Sequence, residues 1–247
     1  MESSFSNPYI QRVAGESNEY VGDTCTYGGI IEKAMYFFLV TFIGIGAFLF
    51  MQMHQPYVTY ILIGAGVVGI IAPLLSYLVP KAIPILGTFF GFAQGYIIGY
   101  SCVEFSKGYS GVVPLAIIIT FSAVIIMGVL YGSGIVKVDQ KFKAIISALF
   151  LTSFVFGGVV FISSFFTSQL TSMFNKNGIV AIVASVLTLI VSVLNLAVDF
   201  DNITIGVDSG FSKNHEWTLA FGIITSIILI FLKVLKLVYQ LVGDDDE

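Results

Sequence analysis

Seven long apolar runs, separated by short polar breaks, organise this chain. They cover about 34–53, 58–79, 82–103, 112–132, 144–166, 180–202 and 217–242. About 20 apolar residues suffice to cross a bilayer as a helix, whereas barrel strands are about ten residues long and alternate strictly. The pattern predicts an all-α integral membrane protein with about seven transmembrane helices over 34–243. A polar, acidic tail (1–33) precedes them and an acidic end (244–247) follows. Pro73 falls inside the second run and is expected to kink it, and Pro80-Lys81 breaks the chain before the third.

The sixth run is not uniformly apolar. Ser185, Thr188, Ser192, Asn195, Asp199 and Asn202 follow at steps of three and four, so a helix carries all six on one face. Facing lipid, an aspartate alone costs about 2.5–3.5 kcal/mol near a helix centre. The seam is therefore expected to face other helices or water. Two readings stand side by side: a close packing interface built on small hydroxyl residues, or the wall of an ion or proton path with Asp199 as its titratable group. The hydroxyls favour packing, and Asp199 with Asn195 one turn away brings the second reading level. Asp201, about 200° further round, is expected on another face as a solvated or capping residue.

The third run carries Gly87, Gly91, Gly95 and Gly99 at steps of four, a ridge of bare backbone suited to close helix packing. It also carries Gln94, a mid-membrane polar group that needs a partner, for which the sixth helix is the candidate. In the seventh run Thr225 and Ser226 are the small hydroxyl residues near mid-membrane, while Lys233 and Lys236 are expected to snorkel toward its end. Asp208, Lys213, His215 and Glu216 read as a connecting loop.

Composition supports the membrane assignment: 57% of residues are hydrophobic and 11% charged, against about 25% charged in soluble domains. Seven spans leave no room for a second, soluble domain. The net charge of −4 lies largely in the tails, and without a basic patch no nucleic-acid partner is expected. Cys25 and Cys102 suggest no disulfide framework, and with His54 and His215 they do not make a zinc site; no metal ligands are assigned. No Ser–His–Asp order, phosphate-binding loop or catalytic carboxylate pair points to an enzyme, and no cofactor is expected. The triplet Asn202-Ile203-Thr204 reads as chance, and the tail does not read as a signal peptide. Lys and Arg divide seven to four in favour of the amino-terminal side. That bias predicts a multi-pass protein of the cell membrane with a cytoplasmic amino terminus.

Several stretches, in order and spacing, resemble a known family. They are Asn7-Pro8, then Ile30-Ile31-Glu32-Lys33-Ala34 entering the first helix, Gln94-Gly95-Tyr96-Ile97-Ile98-Gly99, and Tyr131 to Val138 with Lys141-Phe142. The most specific part is Asp199-Phe200-Asp201-Asn202-Ile203, Gly206-Val207 and Glu216 to Gly222, and Phe231 to Leu237 is similar to the last helix. The family is Bax inhibitor-1, in its bacterial YccA-like branch. The resemblance implies a seven-helix bundle with the last helix at its centre. Some members are pH-sensitive calcium leak channels in which two aspartates, on the sixth and seventh helices, sense protons. The first is matched by Asp199, less closely by Asp201; the second falls at Ser226, and Gln94 stands where that branch has a glutamate. Two adjacent carboxylates raise one pKa toward neutral, and this chain carries one of the pair. The leading expectation is a cation (calcium) or proton leak with Asp199 as main polar site, supported by Asn195 and Asn202. The alternative is a non-conducting regulator that binds another membrane protein, such as a quality-control protease.

Overall fold

Helices occupy nearly all of the residues that the computed structural model describes, which are 23–51, 57–163 and 179–242. In chain order they are α1 (Tyr27–Met51), α2 (Tyr57–Leu78), α3 (Ile83–Ser106), α4 (Val112–Gly132), α5 (Gln140–Ser163), α6 (Ile179–Asp208) and α7 (His215–Val242). Among the described residues, seven helices are long and apolar enough to span a membrane. The acidic end, His54 and most of the expected tail lie outside the described residues.

The centre of the bundle is α7, against which α1, α3, α4 and α6 all pack. Ala220, Phe221, Ile224, Thr225, Ser226, Ile230 and Gln240 are buried and lie on every side of the axis, so neighbouring helices enclose it all round. By contrast, α2 packs mainly on α3, and α5 on α6. Both turn large side chains such as Tyr60, Leu78, Leu151 and Phe156 outward. In water this surface would be an association patch; in a bilayer it meets acyl chains. Pro73 lies within α2 without ending it.

The α3 glycines face α1. A Cβ on Gly91 would stand 3.3 Å from the Phe37 carbonyl, and one on Gly99 3.0 Å from the Phe48 ring. Gly95 and Gly44 leave no room for a Cβ at all, because each meets the other helix's backbone. Gly87 accommodates the ring of Phe37. This is the small-residue close approach that membrane helices use in place of a hydrophobic driving force.

Two element ends differ from the apolar runs. Helix α1 begins at Tyr27 instead of near 34, with Thr26 as its cap: the Gly29 amide donates to Thr26 Oγ1 at 3.0 Å. Within this added stretch Lys33 finds a buried partner in Glu216 of α7. Helix α6 runs on to Asp208 and ends where Gly210 adopts φ 65°, with Phe211 N donating to Gly206 O and Gly210 N to Val207 O. That bond pair closes the helix on a left-handed residue for which glycine is suited. The segment before α1 is tied to this turn: Thr24 bridges Ser212, and Cys25 N donates to Phe211 O at 2.7 Å.

Candidate functional site in the α6–α7 seam

The polar face of α6 lies on α7 in a regular antiparallel register. Asp199, Ser192 and Ser185 recede along α6 by sevens as Ser226, Lys233 and Gln240 advance along α7 by sevens, and each meets its counterpart. Ser226 Oγ donates to Asp199 Oδ2 at 2.5 Å. Lys233 Nζ donates to Ser192 Oγ at 2.6 Å and to the Thr188 carbonyl at 3.0 Å. Ser185 Oγ donates to Gln240 Oε1 at 2.8 Å. Seven residues are two helical turns, about 10 Å, so the three contacts form evenly spaced rungs.

The rung at Asp199 contains one carboxylate and neutral donors. Asn195 Nδ2 donates to Ser226 Oγ at 3.1 Å and, more weakly, to Asp199 Oδ2 at 3.4 Å. Asn195 and Ser226 are buried, while Asp199 keeps partial access. Gly222 makes space beside it: a Cβ there would reach 3.5 Å from Asp199 Oδ1. An ionised carboxylate can only accept hydrogen bonds, whereas a protonated one also donates. A proton gained or lost at Asp199 therefore changes the bonds that join α6 to α7.

The neighbouring polar residues divide differently from the sequence expectation. Asp201 neither caps a helix nor stands free. It pairs with Lys143 Nζ of α5 at 2.5 Å and accepts from the Tyr131 hydroxyl at 3.1 Å. Asn202 joins that cluster, accepting from Lys143 at 3.1 Å, and so does not support Asp199. The reason is angular: residues two and three beyond Asp199 turn toward α5, and the Lys143 cation draws both. Gln94 is buried in α3 but faces Gly69 of α2, not the seam helix.

Two participants escaped the sequence reading. Lys233 turns inward to α6 instead of snorkelling; its signal was the seven-residue recurrence of Ser226, Lys233 and Gln240. Glu216 is a fully buried residue of the first turn of α7, not a loop residue. Lys33 Nζ contacts its carboxylate at 2.5 Å, and Thr26 donates to it from N at 3.0 Å and Oγ1 at 3.1 Å. Lys33 also lies 5.4 Å from the centre of the Trp217 ring. Gly29 is required here, because a Cβ would collide with the Glu216 carboxylate.

Outside the spans, the strap 23–26 adds a second ion pair. Lys213 donates to Asp23 at 2.9 Å, which lowers the Asp23 pKa and raises that of Lys213. Burial pushes the Cys25 thiol up to about 11, with Glu216 adding to the rise and Lys33 opposing it. Among the described residues, no three His, Cys, Asp or Glu side chains gather to hold a metal ion.

A seven-helix membrane bundle around a central last helix, with a lone seam aspartate, defines the class of protein. A family model described as Bax inhibitor 1 like matches residues 7–243, nearly the whole chain, and the chain belongs to that family. No curated protein and no solved structure matches it significantly.

Proposed function

We propose that this family member is a pH-responsive leak across the cell membrane whose conducted ion is the proton, with Asp199 as the group that takes up and releases it. One observation carries the reading: the Asp199 carboxylate is held between α6 and α7 by the Ser226 hydroxyl and the Asn195 amide. Uptake of a proton exchanges an accepted bond for a donated one, and the two helices are joined there by few others of that kind. Loosening of the rung opens a path along the seam. By the bias of basic residues, the Asp199 end faces the cytoplasm.

Calcium fits this rung less well. It takes six to eight oxygen ligands, and the rung offers one carboxylate and one hydroxyl, with the Asn195 amide nitrogen turned inward. Two turns along, Lys233 places a fixed cation on the same seam.

The test is reconstitution in liposomes with proton and calcium flux measured against pH. The expected result is proton flux above empty liposomes that varies with pH, a flat profile in Asp199→Asn, and calcium flux at baseline. Calcium flux that Asp199→Asn abolishes would reassign the ion. No flux of either kind would favour the non-conducting regulator of another membrane protein.

A further inference from the structure

A second feature of the bundle is independent of Asp199. Between α2 and α5, over one face of α7, lies a partly open cavity of about 260 Å³. Lys233 and Leu229 of α7, Gln94 of α3, Gly69 of α2, and Ser153 and Phe154 of α5 contribute to its wall, and no acidic residue lines it. Gly69, Gln94 and Ser153 stand near the middle of their helices, so the cavity is at mid-membrane depth, beyond the reach of lipid headgroups.

Glycines create the space. The Gln94 amide occupies room that Gly69 leaves free, since a Cβ there would lie 2.6 Å from Gln94 Nε2. A Cβ on Gly157, also in the wall, would meet nothing within 4 Å. At Gly158 the two outer helices close, with Ile70 at 3.6 Å from the corresponding position.

Lys233 gives the cavity its chemistry. An ammonium has three N–H donors. Two go to Thr188 O and Ser192 Oγ, both neutral acceptors. Among the described residues no carboxylate pairs with it. A cation in hydrocarbon surroundings requires a counter-charge or water. The cavity beside it is lined by the Gln94 amide and the Ser153 hydroxyl, both neutral groups that can donate. Its volume of about 260 Å³ exceeds that of a small hydrated ion's core, and its wall is mainly apolar.

We propose that this cavity binds a small, weakly hydrated monovalent anion of the chloride class, held by the third N–H of Lys233 with Gln94 and Ser153 as neutral partners. Binding to the folded state alone stabilises it by mass action, so the site is testable without transport.

The full-length protein in detergent is titrated with sodium chloride, replaced by sodium gluconate to hold ionic strength, and its thermal midpoint is followed. Gluconate is too bulky and too strongly hydrated for this wall. The expected result is a saturable rise of about 2–4 °C with chloride and no chloride dependence in Lys233→Met. That variant leaves no buried acceptor stranded, because Ser192 Oγ already donates to Thr188 O at 3.0 Å. Should it nonetheless fail to fold, Gly157→Leu, which fills the cavity and leaves Lys233 in place, is expected to abolish the response. A wild-type midpoint indifferent to chloride overturns the proposal, as does an equal response in whichever of these variants folds. An acyl chain in the cavity would give the first of those results. Because the readout is stability, a silent flux assay bears on Asp199 and leaves this site standing.

Discussion

Helix α7 meets two carboxylates on its length, and they are handled in opposite ways. Glu216 is fully buried at the helix start and is answered by two donors from Thr26 and by the Lys33 ammonium, which itself lies over the Trp217 ring. Asp199, brought to the same helix by α6, takes its hydrogen bonds among the described residues from the neutral Ser226 and Asn195. The first arrangement is a staple: its parts come from the strap, α1 and α7, and both carboxylate oxygens have fixed partners. The second is a contact whose hydrogen bonds depend on one proton. A buried charge with a full set of partners fixes geometry, and one with neutral partners leaves a variable in the structure.

That contrast sets the sizes of the expected effects. Removing one member of a buried ion pair strands the other, at a cost of about 3–5 kcal/mol. Glu216→Ala is therefore expected to lower the thermal midpoint most. Glu216→Ala with Lys33→Ala together should cost less than the two single changes summed, because neither charge is left alone. Asp199→Asn keeps the size of the side chain and its hydrogen-bonding capacity, and about 1 kcal/mol is expected in the same measurement. A larger loss at Asp199 than at Glu216 would break the comparison.

Ser226→Asp sharpens it from the other side. A second carboxylate beside Asp199 makes a coupled pair in which one proton is held more tightly. The pH midpoint of proton flux in liposomes is expected to move up; an unmoved midpoint would remove Asp199 from the path.

Smaller effects belong to the strap. Cys25, with its thiol pushed up to about 11 and 3% of its surface exposed, is expected to resist maleimide at pH 8. Asp23→Asn should speed its labelling modestly by releasing Lys213. The sign of the acid response follows from the lowered pKa of Asp23. Its pairing contributes stability above the ordinary aspartate pKa, and that contribution is lost as pH falls through the lowered value. The protection factor of the Cys25 amide, its exchange rate relative to the intrinsic rate at each pH, is expected to fall in that acid range and to be flat from pH 6 to 8. The raised pKa of Lys213 places its own loss at high pH, in the far alkaline range.

Much of this was legible in the chain itself, and the physical reason is the bilayer. A solvent that cannot hydrogen-bond forces long apolar helices, so seven runs give seven helices whatever their neighbours. A seam of polar residues at steps of three and four must turn inward, and the α3 glycines at steps of four must meet another backbone. The resemblance to the family, now shown, added the central position of the last helix. What the chain alone left open is which inward face meets which. Lys233 read as a snorkelling residue because its burial depends on the α6 acceptors that lie opposite in the folded register. Glu216 and Lys33 read as loop and tail because charged residues ordinarily stay in water, and they are brought together only when α1 docks on α7. Asn202 left the Asp199 group for the same kind of reason, since Lys143 reaches it from α5. Periodicity decides which side of a helix is polar; only packing between distant segments decides what each polar atom touches.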